Sequence, residues 1–174
     1  CVEGVGVLNV QNGAIVSSHA GYLAGYSANA SGTATISGIG SRWSITSFLS
    51  VGGQGTGVMH IIDGGRVTSG YVQIRNDAGQ TSTAFISGAS SNWTVNGDRQ
   101  VGWSGKAIMK VEDGGTAVSG YGYVGTANST ATAIISGAGS KWTVTNWMMI
   151  DGSNVGNGRL IIQDGGEVIT GTGY

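Results

Sequence analysis

Proline is absent from the sequence, and cysteine occurs once, at position 1. With no second cysteine a disulfide cannot cross-link the chain, and a zinc site would lack its usual thiolates. Charge is scarce too. Charged residues make up 10% and the net charge is −1, so there is no electrostatic case for nucleic acid or an anionic membrane surface. No apolar run approaches the length of a membrane span, so no direct membrane insertion of this segment is expected, and no stretch holds a helical period. The start shows neither a charged n-region nor an apolar h-region, so no signal peptide is read there, and the closing GTGY falls part-way through a repeat. The expectation is a piece of a longer protein, with Cys1 a boundary residue and not a nucleophile.

Glycine, by contrast, is abundant, at 34 of 174 residues, and hydrophobic residues make up 40%. The glycines lack the collagen period, and the apolar content is too high for a disordered linker. Short runs of Val, Ile, Thr and Trp between clusters of Gly, Ser, Asn and Asp indicate many short strands joined by tight turns.

Two motifs recur. SGIGSRWSI (Ser37 to Ile45), SGASSNWTV (Ser87 to Val95) and SGAGSKWTV (Ser136 to Val144) place Trp43, Trp93 and Trp142 at intervals of 50 and 49 residues. Out of phase with them, VQNGA, IIDGG, VEDGG and IIQDGG place Asn12, Asp63, Asp113 and Asp164 at intervals of 51, 50 and 51. Two independent anchors with one period define a real repeat. It divides the chain into a partial repeat over 1–45, repeats over 46–95 and 96–144, and a partial repeat over 145–174.

About 50 residues is too long for one rung of a solenoid and suits two coils of roughly 25. Alternation assigns the faces: Leu8/Val10, Met59/Ile61, Met109/Val111 and Leu160/Ile162 point inward, as do Ala34/Ile36, Ala84/Ile86 and Ala133/Ile135. The interleaved residues face water. This pattern predicts an all-β chain, a right-handed parallel β-helix of about seven coils, on the order of 34 Å long at ~4.8 Å per coil. Exposed strand edges at its ends predict end-to-end self-association.

The pattern SGxGSxW, then a short Val-Gly strand such as Val51-Gly52 or Val101-Gly102, then an apolar strand and DGG, resembles a known repeat. It is similar to the repeat of autotransporter (type V secretion) passenger domains, also seen in some bacterial proteins with sorting tails. The resemblance covers essentially the whole chain. It implies a passenger exported across the outer membrane by a C-terminal barrel, displayed on the cell surface or secreted, acting as an adhesin, stalk or virulence factor. The implied partner is a host or neighbouring-cell surface protein or glycan. Cysteine scarcity fits that route.

Turn formation explains Asp63, Asp113 and Asp164 better than a calcium or carboxylate site. Equivalent residues lie two coils apart, roughly 10 Å, and Asn12 replaces the acid in the first unit. A polysaccharide lyase or hydrolase is the alternative enzyme class, but Asp98-Arg99, Lys110-Glu112-Asp113 and Arg75-Asp77 do not recur in phase, so no catalytic residue, metal or cofactor is assigned. A secreted effector engaging a host receptor is a third reading. Thr33, Thr83 and Thr132 recur only every second coil, which argues against an ice-binding face. His19 and His60 read as surface residues. Arg99 stands where Leu49 and Met148 stand. The expectation is that it points outward, because an unpaired buried guanidinium is very costly. Trp103 marks a local surface feature. The tryptophans of the repeat read as core. The candidate partner-binding residues are Arg42, Asn92 and Lys141, which precede them and vary in chemistry, together with Phe85 and Ile134, which with Ile62 and Ile161 lie on the outward side of their strands and, if aligned across coils, form an apolar stripe suited to a partner or to self-association through that face.

Overall fold

A computed structural model describes residues 4–152 and 156–173, so Cys1 lies outside the described residues. Alternating apolar and polar residues make every regular element a strand, and among the described residues there is no helix. The first coil consists of β1 (Val5–Gln11), β2 (Ile15–Ser18) and β3 (Gly21–Leu23); the second repeats it with β4 (Ser31–Ser37), β5 (Arg42–Ile45) and β6 (Phe48–Gly53). The third uses β7 (Thr56–Ile62), β8 (Arg66–Ser69) and the start of β9 (Tyr71–Ser87), a strand that turns a corner and opens the fourth coil. Next, β10 (Asn92–Glu112) completes coil four and starts coil five, which β11 (Thr116–Val124) finishes. Coil six is β12 (Ser129–Ser136) and β13 (Lys141–Ile150), and coil seven is β14 (Asn157–Gln163) and β15 (Glu167–Gly173).

Every strand pairs in parallel with its counterpart one coil away, giving a β-solenoid with three ladders, here called sheets A, B and C in chain order. Its interior is filled by a two-coil alternation. One inward row of sheet A reads Leu8, Ala34, Met59, Ala84, Met109, Ala133, Leu160. The facing row of sheet B reads Val16, Trp43, Val67, Trp93, Ala117, Trp142, Val168. Where A is large B is small, and the reverse holds one coil on. Trp93 and Trp142 are fully buried and Trp43 is 5% exposed, so the tryptophans are core residues held two coils apart.

The two sequence motifs prove to be one corner. The Asx-Gly turn joins sheet A to sheet B in odd coils, and SGxGS or SGxSS makes the same connection in even coils. Asn12, Asp63, Asp113 and Asp164 sit at φ between 53° and 56°, a left-handed conformation that Asn and Asp tolerate and the following glycine adopts freely. Corners of neighbouring coils interlock. The buried hydroxyls of Ser41, Ser91 and Ser140 accept the amide hydrogens of Gly13, Gly64 and Gly114, each at 3.0 Å. In the other direction Ser37, Ser87 and Ser136 donate to the carboxylates of Asp63, Asp113 and Asp164. The aspartates are therefore committed to the turn. Replacing Ser91 with Ala strands the buried Gly64 amide and is expected to destabilise the fold by about 1–3 kcal/mol in denaturant unfolding, with unchanged far-ultraviolet circular dichroism at low denaturant.

Candidate functional site

Arg42, Asn92 and Lys141 fall on one outward row of sheet B, which reads Ile15, Arg42, Arg66, Asn92, Thr116, Lys141, Glu167. They occupy alternate coils and do not touch. Asn92 Nδ2 donates to Thr116 Oγ1 at 2.9 Å, and Lys141 Nζ pairs with Glu167 at 2.7 Å. Phe85 and Ile134 fall on an outward row of sheet A that reads Asn9, Thr35, His60, Phe85, Lys110, Ile134, Ile161. Phe85 stacks on His60, with ring centroids 5.0 Å apart and planes 6° from parallel. Burial pushes the His60 pKa down, which keeps that stack neutral near pH 7. Lys110 lies 5.8 Å from the Phe85 ring and separates it from Ile134, so the apolar stripe is broken. Ile62 belongs to the next row, between Ser37 and Ser87. His19 is exposed beside Thr46, and the Thr33, Thr83 and Thr132 row carries Val58 and Ile108 between its threonines.

The densest outward chemistry lies on sheet C. Register along Leu49, Val72, Arg99, Gly122 and Met148 aligns Phe48, Tyr71, Asp98, Tyr121 and Trp147 in one outward row. Tyr22, Ser50, Gln73, Gln100, Tyr123 and Met149 form the row beside it. Six aromatic side chains thus share one sheet. Phe48 stacks on Tyr71 at 5.3 Å and leans against Tyr22 at 5.7 Å, while Trp147 meets Tyr121 and Tyr123 edge-on at 5.2 and 5.1 Å. Between the two groups lies a polar bridge. Tyr71 Oη donates to Gln100 Oε1 at 2.6 Å, and Gln73 Nε2 donates to both, at 2.9 and 2.8 Å. Burial among these rings raises the Asp98 pKa, and it raises those of Tyr71 and Tyr123, where the Asp98 charge adds to it. Aligning single coils instead of the 50-residue unit would have exposed this row, because Phe48, Tyr71, Asp98, Tyr121 and Trp147 follow one another at 23, 27, 23 and 26 residues.

Directly beneath, Arg99 corrects the outward placement expected for it. The side chain is 0% exposed and enters the core. Among the described residues no carboxylate pairs with it. Its Nη2 donates to the carbonyls of Trp93 (2.8 Å) and Val118 (3.2 Å), Nη1 lies 3.6 Å from Met109 Sδ, and Cζ sits 4.4 Å from the Trp93 ring centroid. Carbonyl dipoles and a cation–π contact replace the counter-ion. A missing glycine explains the opening. Trp43 and Trp142 lie over Gly21 and Gly122, where an added Cβ would come within 3.0 Å of the indole, and each donates its N–H to a serine, Ser18 or Ser119. Coil three has Val72 at that place, and among the described residues the Trp93 N–H and Ser69 Oγ are both left without a partner. The guanidinium fills the space and covers the indole face.

Of the charged clusters read from the sequence, Arg75 pairs with Asp77 at 3.3 Å and Lys110 with Glu112 at 3.6 Å, while Asp98 and Arg99 point to opposite sides of one strand. Ser104 donates to Asp77 beside Trp103, which is 43% exposed at the corner between sheets C and A. Among the described residues no group of three or more His, Cys, Asp or Glu could hold a metal ion.

Burial lowers the Arg99 pKa to about 9, so the group is charged at neutral pH and its desolvation opposes folding there. Arg99→Leu, the residue of coil two, is expected to stabilise the protein by about 1–4 kcal/mol at pH 7 in denaturant unfolding. Because the folded-state pKa lies below the unfolded one, the unfolded chain binds more protons above pH 9. Wild-type stability therefore rises with pH there, and the gap to the variant narrows as pH passes about 9.

Comparison of the chain with protein-family models, with curated proteins and with solved structures finds no match.

Proposed function

We propose that this chain is a non-enzymatic binding segment of an exported β-solenoid, displayed on a bacterial surface or secreted, working as an adhesin or stalk in the manner of autotransporter passengers. The single cysteine and the SGxGSxW and DGG motifs support the export route. The sheet C surface supports binding. Tyrosine and tryptophan give large contact areas at small entropic cost, and a concentration of them on one side of a rigid rod is typical of recognition surfaces. The partner it suits is a surface protein or glycan that lies along several coils.

A carbohydrate-active enzyme is the second reading, favoured by the raised pKa of Asp98. Glycoside hydrolysis, however, uses two carboxyl groups across the scissile bond, and Asp98 is the one carboxylate in the two outward rows of sheet C.

Purified chain, fluorescently labelled, is expected to bind bacterial or host cells saturably, with Trp147→Ala and Tyr71→Ala each weakening binding about tenfold, the scale of a 1.4 kcal/mol contact. Equal binding by both variants would remove sheet C from the function. Release of reducing ends from polysaccharide, lost in Asp98→Asn, would replace the adhesin reading with the enzyme.

A further inference from the structure

The outward row at the start of sheet B satisfies itself in two of its three coil pairs. Coils four and five place Asn92 against Thr116, joined by a hydrogen bond, and coils six and seven place Lys141 against Glu167, joined by an ion pair. Coils two and three place Arg42 against Arg66, directly opposite in register. Like charges facing each other across a parallel ladder destabilise it. Among the described residues neither arginine takes part in an ion pair, and the nearby corner aspartate, Asp63, accepts from Ser37.

Arg42 and Arg66 also line one groove. A hollow of about 380 Å³ runs along the corner, bounded by Ile39, Gly40, Arg42, Gly64, Arg66 and Ser90. Ile39 is 86% exposed and supplies an apolar wall. Tight glycine turns keep the groove floor low, since Gly40 and Gly64 present no side chain. A guanidinium offers a planar fork matched to an oxyanion, and two of them a strand spacing apart can grip one oxyanion from both sides. We propose that this groove binds the carboxylate of an acidic polysaccharide, with Arg42 and Arg66 on the carboxylate and the sugar ring against Ile39. The bound anion removes the repulsion between the arginines, so ligand binding also stabilises coils two and three. This site is separate from sheet C and does not depend on its role.

The test uses the purified chain with polygalacturonate, inorganic sulfate and neutral dextran as probes. Two variants copy pairs the solenoid already tolerates: Arg66→Glu imitates Lys141 with Glu167, and Arg42→Asn with Arg66→Thr imitates Asn92 with Thr116. Affinity electrophoresis should show wild type retarded by polygalacturonate and not by dextran, with retardation weakened at least about tenfold in both variants and reduced by added salt. Thermal unfolding should show polygalacturonate raising the wild-type midpoint and leaving that of Arg66→Glu unchanged, while ligand-free Arg66→Glu melts above wild type. Equal retardation of wild type and variants, or none of wild type, would overturn the proposal. Stabilisation by inorganic sulfate as large as by the polymer, at equal charge, would overturn the polysaccharide assignment and leave a small-oxyanion site.

Discussion

Each coil encloses the same cross-section, and that space must be filled to the density of a protein interior. A single coil composition repeated seven times would do this only if one set of side chains fitted every level. The chain instead uses two sets that fit together. An even coil fills the space from sheet B with tryptophan and leaves alanine on sheet A, and an odd coil fills it from sheet A with leucine or methionine and leaves valine or alanine on sheet B. The 50-residue period is the repeat of this complementary pair. The corner follows the same logic. An SGxGS turn reaches back to the glycine of one neighbour and forward to the aspartate of the other, and a row of identical turns could make neither contact.

Because the interior constrains only inward residues, the outer rows are free to differ. Sheet A presents Phe85, Ile134 and Ile161 interleaved with polar residues, sheet B a row rich in charge and amide, and sheet C the aromatic surface. Strand spacing holds successive outward residues about 4.8 Å apart, so each row is a rigid ruler for an extended ligand. Little conformational entropy remains to be lost when such a surface binds.

The coil plan was legible in the sequence because it rests on period and alternation. Leu8, Met59 and Met109 announce the inward face by themselves, and Asn12 with the three aspartates announces the turn. The identity of the two motifs as one corner was hidden, since Asx-Gly and Ser-Gly-x-Gly-Ser look chemically unrelated and only stacking shows that they interlock. Sheet C was hidden for a different reason: its aromatics come one or two per coil, and local patterning says nothing about alignment across 25 residues. Arg42 was found through its position before Trp43, yet its partner Arg66 belongs to the other motif and could be joined to it only by register. Arg99 misled the sequence reading because desolvation cost alone was weighed. Two strand carbonyls and an indole face, none visible as a motif, lower that cost enough for burial.

The departures from the repeat cluster. Val72 replaces a glycine, Arg99 replaces a leucine or methionine, and Ser90 takes a corner position at φ 71° where Gly40 and Gly139 stand. All three fall in coils three and four. Where the other coils carry glycine, leucine or methionine at these places, a local departure is a signal, because the neighbouring copies show that a cheaper residue fits. Arg99 sits between Asp98 and Gln100, so its strand carries a buried charge on one side and the polar centre of the aromatic surface on the other. Core and surface are joined there through a single strand. Leu49 in coil two places Phe48 and Ser50 outward by the same alternation, so the cost at Arg99 is carried by the interior, where the guanidinium packs over the face of Trp93.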